Sequence, residues 1–329
     1  MPKPILNQRP SEQERRALIL GISGQDGALL ARFLLSRGYK VFGGSRDAEI
    51  QSFRNLERLG IKERVELVSL SLMDFRSVLK TISSTCPDEI YNLAGQSSVG
   101  LSFEIPVETF DSISVATVNL LEAIRFHDSE IRFYNACSSE CFGDTQEPAS
   151  EDTAMRPRSP YAVAKAAAYW QVANYREGYG VFAASGILFN HESPLRPTRF
   201  VVQKIVSAAK RIAAGSDEKL RLGDLGIVRD WGWAQDYVIG MWQILQTPSP
   251  RDYVLATGRS SSLEELVAES FSQLALNWRE HVVQDTSLIR PTDLSHSLAD
   301  PRRAGKELGW QSSCSLSELV SGMIAEKLD

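Results

Sequence analysis

Between residues 17 and 190, short apolar runs alternate with segments whose apolar positions recur every three or four residues. The runs at 17–22, 39–44, 64–70, 88–95, 131–139 and 181–189 have the length and bounds of buried strands. The periodic segments at 28–38, 52–61, 74–84 and 107–127, and one that starts after Ser159, read as helices. Gly38 is a natural helix stop and Asp74 a natural N-cap. Strands that alternate with helices predict βαβ units and hence a parallel, doubly wound α/β sheet. Beyond about residue 190 the rhythm loosens. Residues 192–200, with two prolines and two arginines, read as an irregular loop. Helical patterns follow at 201–214, 235–246, 263–276 and 315–328, with short strands at 219–223 and 252–256. The expected organisation is a nucleotide domain over 17–190 and a smaller α+β lobe over 191–329. That lobe mainly binds substrate, and some of its segments return to the first domain.

Composition narrows the picture. The chain has 329 residues, of which 43% are hydrophobic, which exceeds the size at which a single core usually stops growing. Its net charge of −5 comes from 36 basic and 41 acidic residues with no long run of one sign, so nucleic acid is not an expected partner. No apolar stretch approaches the roughly 18 residues of a membrane span. The polar stretch 1–16 reads as a disordered lead-in without a signal region, which points to the cytoplasm. The cysteines, Cys86, Cys137, Cys141 and Cys314, form no C-x-x-C pair and read as reduced, with Cys137 and Cys141 small and buried. No Cys/His cluster has metal-ligand spacing, so no metal is expected.

The candidate chemistry begins at "GISGQDG", where Gly21, Gly24 and Gly27 lie between the first strand and the first helix. Such a turn lets backbone approach a pyrophosphate, and the helix N-terminus supplies N–H groups. The spacing is G-x-x-G-x-x-G, a variant of the usual dinucleotide fingerprint. At the end of the second strand, "GGSRD" offers Arg46, which suits a 2′-phosphate, followed by Asp47, which would suit a free 2′-hydroxyl. NADP is the expected cofactor, and NAD the second choice. In "SPYAVAKAAAYW", Tyr161 and Lys165 share a helical face. An ammonium beside a phenol favours the phenolate, which would make Tyr161 a general base near neutral pH.

"GISGQDG", "YNLAGQSSV", "SSECFG", "SPYAVAK", "GILFNHESP" and "RDWG" occur in that order. With them the chain, from about Ala17 to its C-terminal "LGW", resembles the GDP-mannose 4,6-dehydratase family of the extended short-chain dehydrogenase/reductases. The resemblance implies a Rossmann-type fold and an NADP-dependent enzyme that oxidises GDP-mannose at C4, eliminates water across C5 and C6, and returns the hydride to C6. It implies that Ser138, in the place of the usual threonine, holds O4. Glu140 would be the acid/base, Tyr161 the base at O4, and Lys165 the ribose clamp that also lowers the tyrosine pKa. Cofactor contacts would come from Gly21, Ser23, Gly24, Gln25, Asp26, Gly27, Arg46, Ser71, Leu72, Leu93, Ala94, Gln96, Ser97, Lys165, His191 and Arg196. Substrate contacts would come from Ser97, Ser139, Asn190, Lys204, Arg229, Arg290 and Asp293.

The chain departs from the family pattern at several positions. Gly95 stands where alanine is usual, and Ser71 where an acid is usual. Asp293 replaces a glutamate. Asp47 replaces an arginine from a loop that in relatives helps neighbouring subunits share cofactor sites. A homodimer or homotetramer is implied. Three alternatives remain open: a GDP-4-keto-6-deoxy-sugar reductase, a nucleotide-sugar epimerase and a GDP-heptose 4,6-dehydratase. The first two need Tyr161 and Lys165 but no eliminating carboxylate.

Overall fold

The computed structural model describes residues 14–127, 130–312 and 314–328, so most of the expected lead-in lies outside the described residues. Six strands form in the first half: β1 (Arg16–Leu20), β2 (Lys40–Ser45), β3 (Glu66–Ser69), β4 (Glu89–Asn92), β5 (Arg132–Ser138) and β6 (Ala183–Leu188). They join β10 (Tyr253–Leu255) in one seven-stranded sheet of order β10-β6-β5-β4-β1-β2-β3, parallel throughout. Helices cover both faces, which is why these strands read as unbroken apolar runs. Within β1, Ala17 and Ile19 pack into the core on one face, and Leu18 and Leu20 into the core on the other.

The helices of this half are α1 (Gln25–Ser36), α2 (Arg54–Arg58), α3 (Phe75–Thr85), α4 (Val99–Ser102), α5 (Pro106–Phe110), α6 (Ala116–His127) and α7 (Pro160–Tyr179). Asp74 caps α3 by accepting from the Arg76 N–H at 3.0 Å. Ser159 caps α7 through the Ala162 N–H at 3.1 Å, Pro160 fills its first position, and Gly180 ends it with φ +70°. The single helix expected over 107–127 is interrupted. A π-helical turn, Asp111–Val115, separates α5 from α6. It presses Ile113 against α7 beside Tyr161. Opposite it, Gly95 has φ +122°, and a Cβ there would lie 2.9 Å from Ile113 Cγ1. A π-turn leaves no periodicity signal strong enough to separate it from an α-helix, so the pattern could not show it.

The second half contributes β7 (Asn190–Glu192), α8 (Val201–Ala213), β8 (Leu220–Leu222), β9 (Val228–Trp233), α9 (Ala234–Gln246), β11 (Ser260–Ser262), α10 (Leu263–Ser272), β12 (Val282–Gln284), β13 (His296–Ser297), α11 (Arg302–Leu308) and α12 (Leu316–Ile324). A small sheet forms around β9, which pairs with β7, β11 and β13. Strand β9 was not expected, because "VRDWGW" carries an arginine, an aspartate and a glycine in its interior. All of Arg229 to Gly232 is nevertheless buried, and Asp230 accepts from the N–H groups of Thr257 and Arg259 at 2.9 and 3.2 Å. A core of Val202, Ile205, Trp231, Leu266, Phe271 and Leu319 holds α8, α10 and α12 together. Two segments of this half serve the large sheet: β10 extends it beside β6, and α9 packs on α1.

Candidate active site

The carboxyl ends of β1, β2, β4, β5 and β6 open on one side of the sheet, and the strand order reverses between β1 and β4. In open α/β sheets that reversal leaves a crevice for a ligand. Gly21 follows β1 with φ +84°, and a Cβ there would meet the Leu93 carbonyl oxygen at 2.7 Å. A Cβ on Gly27 would meet the Gly21 carbonyl oxygen at 2.4 Å. The turn is therefore closed to side chains and leaves its backbone exposed. Gly24 starts α1 without a side-chain cap, so the N–H groups of the first turn face outward with the positive end of the helix dipole. This cradle fits a pyrophosphate.

Other expected cofactor residues lie along the same edge. Ser23 accepts from Asn55 Nδ2 at 3.1 Å through its carbonyl oxygen. Leu93 and Ala94 follow β4, and Leu93 N donates to the Leu20 carbonyl at 3.0 Å. Gln96 ties its own loop together, donating to the Ser98 carbonyl (2.8 Å) and to Thr109 Oγ1 (3.2 Å) and accepting from the Ser98 N–H. Ser97 beside it is exposed. Ser71 and Leu72 follow β3, and Arg46 is exposed at the end of β2. The carboxylate of Asp47 is turned back on its own chain, where it accepts from the N–H groups of Glu49 and Ile50 at 2.9 and 3.0 Å.

Gln25 and Asp26 differ from their neighbours, because both side chains face the segment after β6. Gln25 is buried between the His191 carbonyl and the Ser193 hydroxyl. Asp26 Oδ2 lies 3.0 Å from His191 Nε2, and that ion pair holds the aspartate well below the usual carboxylate range against the opposing effect of burial. Arg196 Nε lies 3.5 Å from Glu192 Oε2, and burial raises the Glu192 pKa. Sequence reasoning passed over Glu192 and Ser193. Their only signal was adjacency to His191.

At the end of β5, Ser138 begins the turn Ser139–Phe142 and accepts from the Glu140 N–H at 3.3 Å. Its hydroxyl also bonds Tyr161, in the sense that favours the phenolate. Burial outweighs that bond and raises the Tyr161 pKa. Lys165 does not reverse the shift. Its Nζ donates to the Ala136 carbonyl at 2.7 Å and lies 5.8 Å from the centroid of the phenol ring. Burial lowers the lysine's own pKa. The shared helical face brings the two side chains together as expected, but the ammonium is directed at β5 and not at the phenol. The depressed tyrosine expected from spacing alone is not a property of the chain's own groups.

Glu140 is the desolvated carboxyl of the site. Burial raises its pKa, Arg229 and Arg290 pull it back in part, and Asp293 pushes it up further. Arg229 is buried, donating to the carbonyls of Val228 (2.9 Å) and Leu294 (2.8 Å). Asp293 Oδ1 lies 3.5 Å from Arg229 and 3.6 Å from Arg290. Glu140, Arg229, Arg290 and Asp293 are thus one cluster, and the Glu140 charge is felt at Tyr161. Ser139 is buried beside it. Asn190 lies in β7, paired with Trp231. Lys204 sits on α8 with its ammonium on the Arg221 carbonyl, at 2.6 Å.

The arrangement offers a hydroxyl pair for a sugar oxygen, a carboxyl poised to exchange a proton, two guanidinium groups for a diphosphate and a dinucleotide cradle. The family model described as GDP-mannose 4,6 dehydratase matches residues 18–323. The chain is 43% identical over 328 residues to GDP-mannose 4,6 dehydratase 2 of Arabidopsis thaliana, covering 97% of this chain and 88% of that protein. It is 40% identical over 346 residues to GDP-mannose 4,6 dehydratase of Dictyostelium discoideum, covering 97% of each. In fold it is similar to dTDP-glucose 4,6-dehydratase from Bacillus anthracis in complex with NAD (TM-score 0.83, 18% identity, 95% of this chain and 96% of that one). It is similar also to RMD from Pseudomonas aeruginosa complexed with NADPH (TM-score 0.78, 21% identity, 95% and 97%).

Proposed function

The chain belongs to the GDP-mannose 4,6-dehydratase family, and from that premise we propose how its residues divide the conversion of GDP-mannose to GDP-4-keto-6-deoxymannose and water. A nicotinamide dinucleotide, when bound, accepts a hydride from C4 and later gives it back at C6. Tyr161 takes the O4 proton, steadied by Ser138. The ketone formed at C4 acidifies the C5 proton. Glu140 removes that proton and supplies it to the departing C6 hydroxyl, so that water leaves. Once C6 has its hydride again, C5 takes up a proton that replaces the one Tyr161 removed from O4, and the proton count closes. A carboxyl with a raised pKa suits both halves of that exchange, because it is a stronger base than an ordinary carboxylate and still gives the proton back. Arg229 and Arg290, bridged by the Asp293 carboxylate, take the diphosphate. The raised Glu140 carboxyl within reach of Ser138 and Tyr161 is the observation that carries this reading. A reductase or an epimerase would have no use for it.

The expected test is incubation of purified protein with GDP-mannose and no added reductant. Loss of one water by mass spectrometry supports the reading, and unchanged substrate contradicts it.

NADP is the proposed dinucleotide. Asp47 is engaged with its own turn, which leaves Arg46 as the charged group at the ribose end of the crevice. Arg46→Ala should weaken NADP+ binding more than NAD+ binding, by on the order of 1.5–3 kcal/mol. Equal weakening in calorimetry would remove Arg46 from the choice. A cytoplasmic setting accords with four cysteines that are free thiols.

The proposed assembly is a homodimer through α5 and α7, with a homotetramer built from two such pairs. Val107 and Phe110 on α5, and Val163 and Trp170 on α7, are exposed. Beside them runs an apolar groove of about 470 Å³ bounded by Pro106, Phe110, Pro160, Val163 and Thr292. Light scattering tests it, and a monomer would refute it.

A further inference from the structure

Asp26 occupies the first turn of α1, next to the backbone groups that face a pyrophosphate. A second negative charge there would repel the ligand, unless it were neutralised. Its carboxylate lies 3.0 Å from His191 Nε2. The other ring nitrogen of His191, Nδ1, lies 2.7 Å from the Phe189 carbonyl oxygen. A carbonyl and a carboxylate both only accept. A neutral imidazole carries one N–H, so only the doubly protonated ring satisfies both contacts. Tyr237 on α9 stacks on that ring with centroids 4.5 Å apart and planes 17° from parallel. Among the charged groups around it, Arg196 opposes the added charge and Asp26 favours it. The Glu192 carboxyl is the neighbour on the other side, while Tyr134 on β5 and Lys165 on α7 sense the Asp26 charge. The same segment is fastened twice more, by Gln25 Nε2 to the His191 carbonyl (3.2 Å) and by the Ser193 hydroxyl to Gln25 Oε1 (2.9 Å).

We propose that Asp26 is a positioning residue, which keeps His191 as an imidazolium and ties the phosphate-binding turn to β7, the first strand of the second lobe. Both N–H groups of His191 are used inside the protein. The ring therefore acts on a bound dinucleotide through its charge and carries no hydrogen bond to it. With the pair intact the turn presents no net charge of its own to the pyrophosphate, and this holds well above the pH at which a free histidine loses its proton. The inference needs only a dinucleotide pyrophosphate at the N-terminus of α1 and does not depend on the sugar substrate.

The test is a nitrogen-15 NMR titration of the histidine rings in the full-length protein, with the His191 signals identified by their loss in His191→Gln. The expected result is a His191 ring that loses its second proton only above the pH at which an ordinary histidine does. In Asp26→Asn the amide can donate to Nε2, so the ring should titrate lower, and Asp26→Glu should restore protonation. A second readout is NAD+ affinity by calorimetry, since its phosphates do not titrate in this range. The parent affinity should stay flat through the pH range in which an ordinary histidine loses its proton. That of Asp26→Asn should fall several-fold as His191 deprotonates. A parent ring that titrates at or below the ordinary histidine value, or an Asp26→Asn ring that titrates as high as the parent's, overturns the proposal. If Asp26→Asn does not fold, the parent titration decides alone.

Discussion

Two glutamates of the large sheet, Glu89 buried and Glu140 half-buried, occupy opposite edges and live in opposite surroundings. Glu89 begins β4 at the amino edge. Its carboxylate accepts from Tyr91 (2.7 Å), Gln246 (3.0 Å), Tyr39 (3.1 Å) and Arg15 (3.4 Å). Glu140 follows β5 at the carboxyl edge, where burial raises its pKa and two arginines only partly compensate. One carboxylate is surrounded by donors that join the N-terminal approach, β2, β4 and α9. The other lies beside the Ser138 and Tyr161 hydroxyls and within the fields of Arg229 and Arg290. A parallel sheet with this strand order has its crevice at only one edge. The amino edge is free to surround its charge with donors, and the carboxyl edge leaves the half-buried Glu140 carboxyl facing the crevice, as the proton exchange proposed for it requires.

The largest expected effect separates the two by rate. Glu140→Gln keeps shape and hydrogen-bonding oxygen but cannot accept the C5 proton. Turnover should fall by about 10²–10⁴-fold, the usual worth of a positioned acid/base, with GDP-mannose affinity little changed. Steady-state kinetics with binding calorimetry checks it. Glu89→Gln should leave turnover per folded molecule intact. If Glu89→Gln slowed catalysis as much, the contrast between the edges would fail.

Next in size is the stability of Glu89→Gln. The amide offers one acceptor where the carboxylate offered two, and it points an N–H group at buried donors. Loss of about 1–3 kcal/mol is expected from leaving buried donors unsatisfied, read as a lower midpoint in urea. An unchanged midpoint would mean that the cluster around Glu89 is solvated and not structural.

The smallest effect has the opposite sign. A carboxyl whose folded pKa is raised favours the folded state fully below its unfolded value of about 4.3, and that contribution is lost as pH rises through the folded value. Glu140 is therefore held ionised at a cost at pH 8. Glu140→Gln removes that cost and should raise the melting temperature slightly at pH 8 and not at pH 4. A lower melting temperature at pH 8 would show that the arginines outweigh burial.

The two glutamates were not equally legible. Glu140 could be found because its neighbours in sequence carry its context: Ser138 and Ser139 precede it, and Tyr161 and Lys165 follow on the next helix. Glu89 gave no signal, since its partners come from positions 15, 39, 91 and 246, and three of those four are distant in sequence. The alternation of strands and helices up to β6 was readable because these strands, the edge strand β3 excepted, are buried on both faces. Strand β9 was not, because its polar residues are satisfied by loops that only the folded chain brings near. The pairing of Asp26 with His191 has the same origin, a contact across 165 residues. The direction of Lys165 was misjudged for a different reason. Helical spacing fixes the face a side chain leaves from, and the nearby Ala136 carbonyl decides where its ammonium ends.

The most direct test of Glu140 as the eliminating base is exchange at C5. GDP-mannose and the dinucleotide are incubated with enzyme in deuterated water, and deuterium at C5 is followed by NMR and mass spectrometry. The parent enzyme should exchange the C5 proton in step with turnover. Glu140→Gln, with Tyr161 and the dinucleotide cradle intact, should still bind both ligands and show exchange reduced to background. Exchange at the parental rate in Glu140→Gln would contradict the assignment and require another base in the crevice.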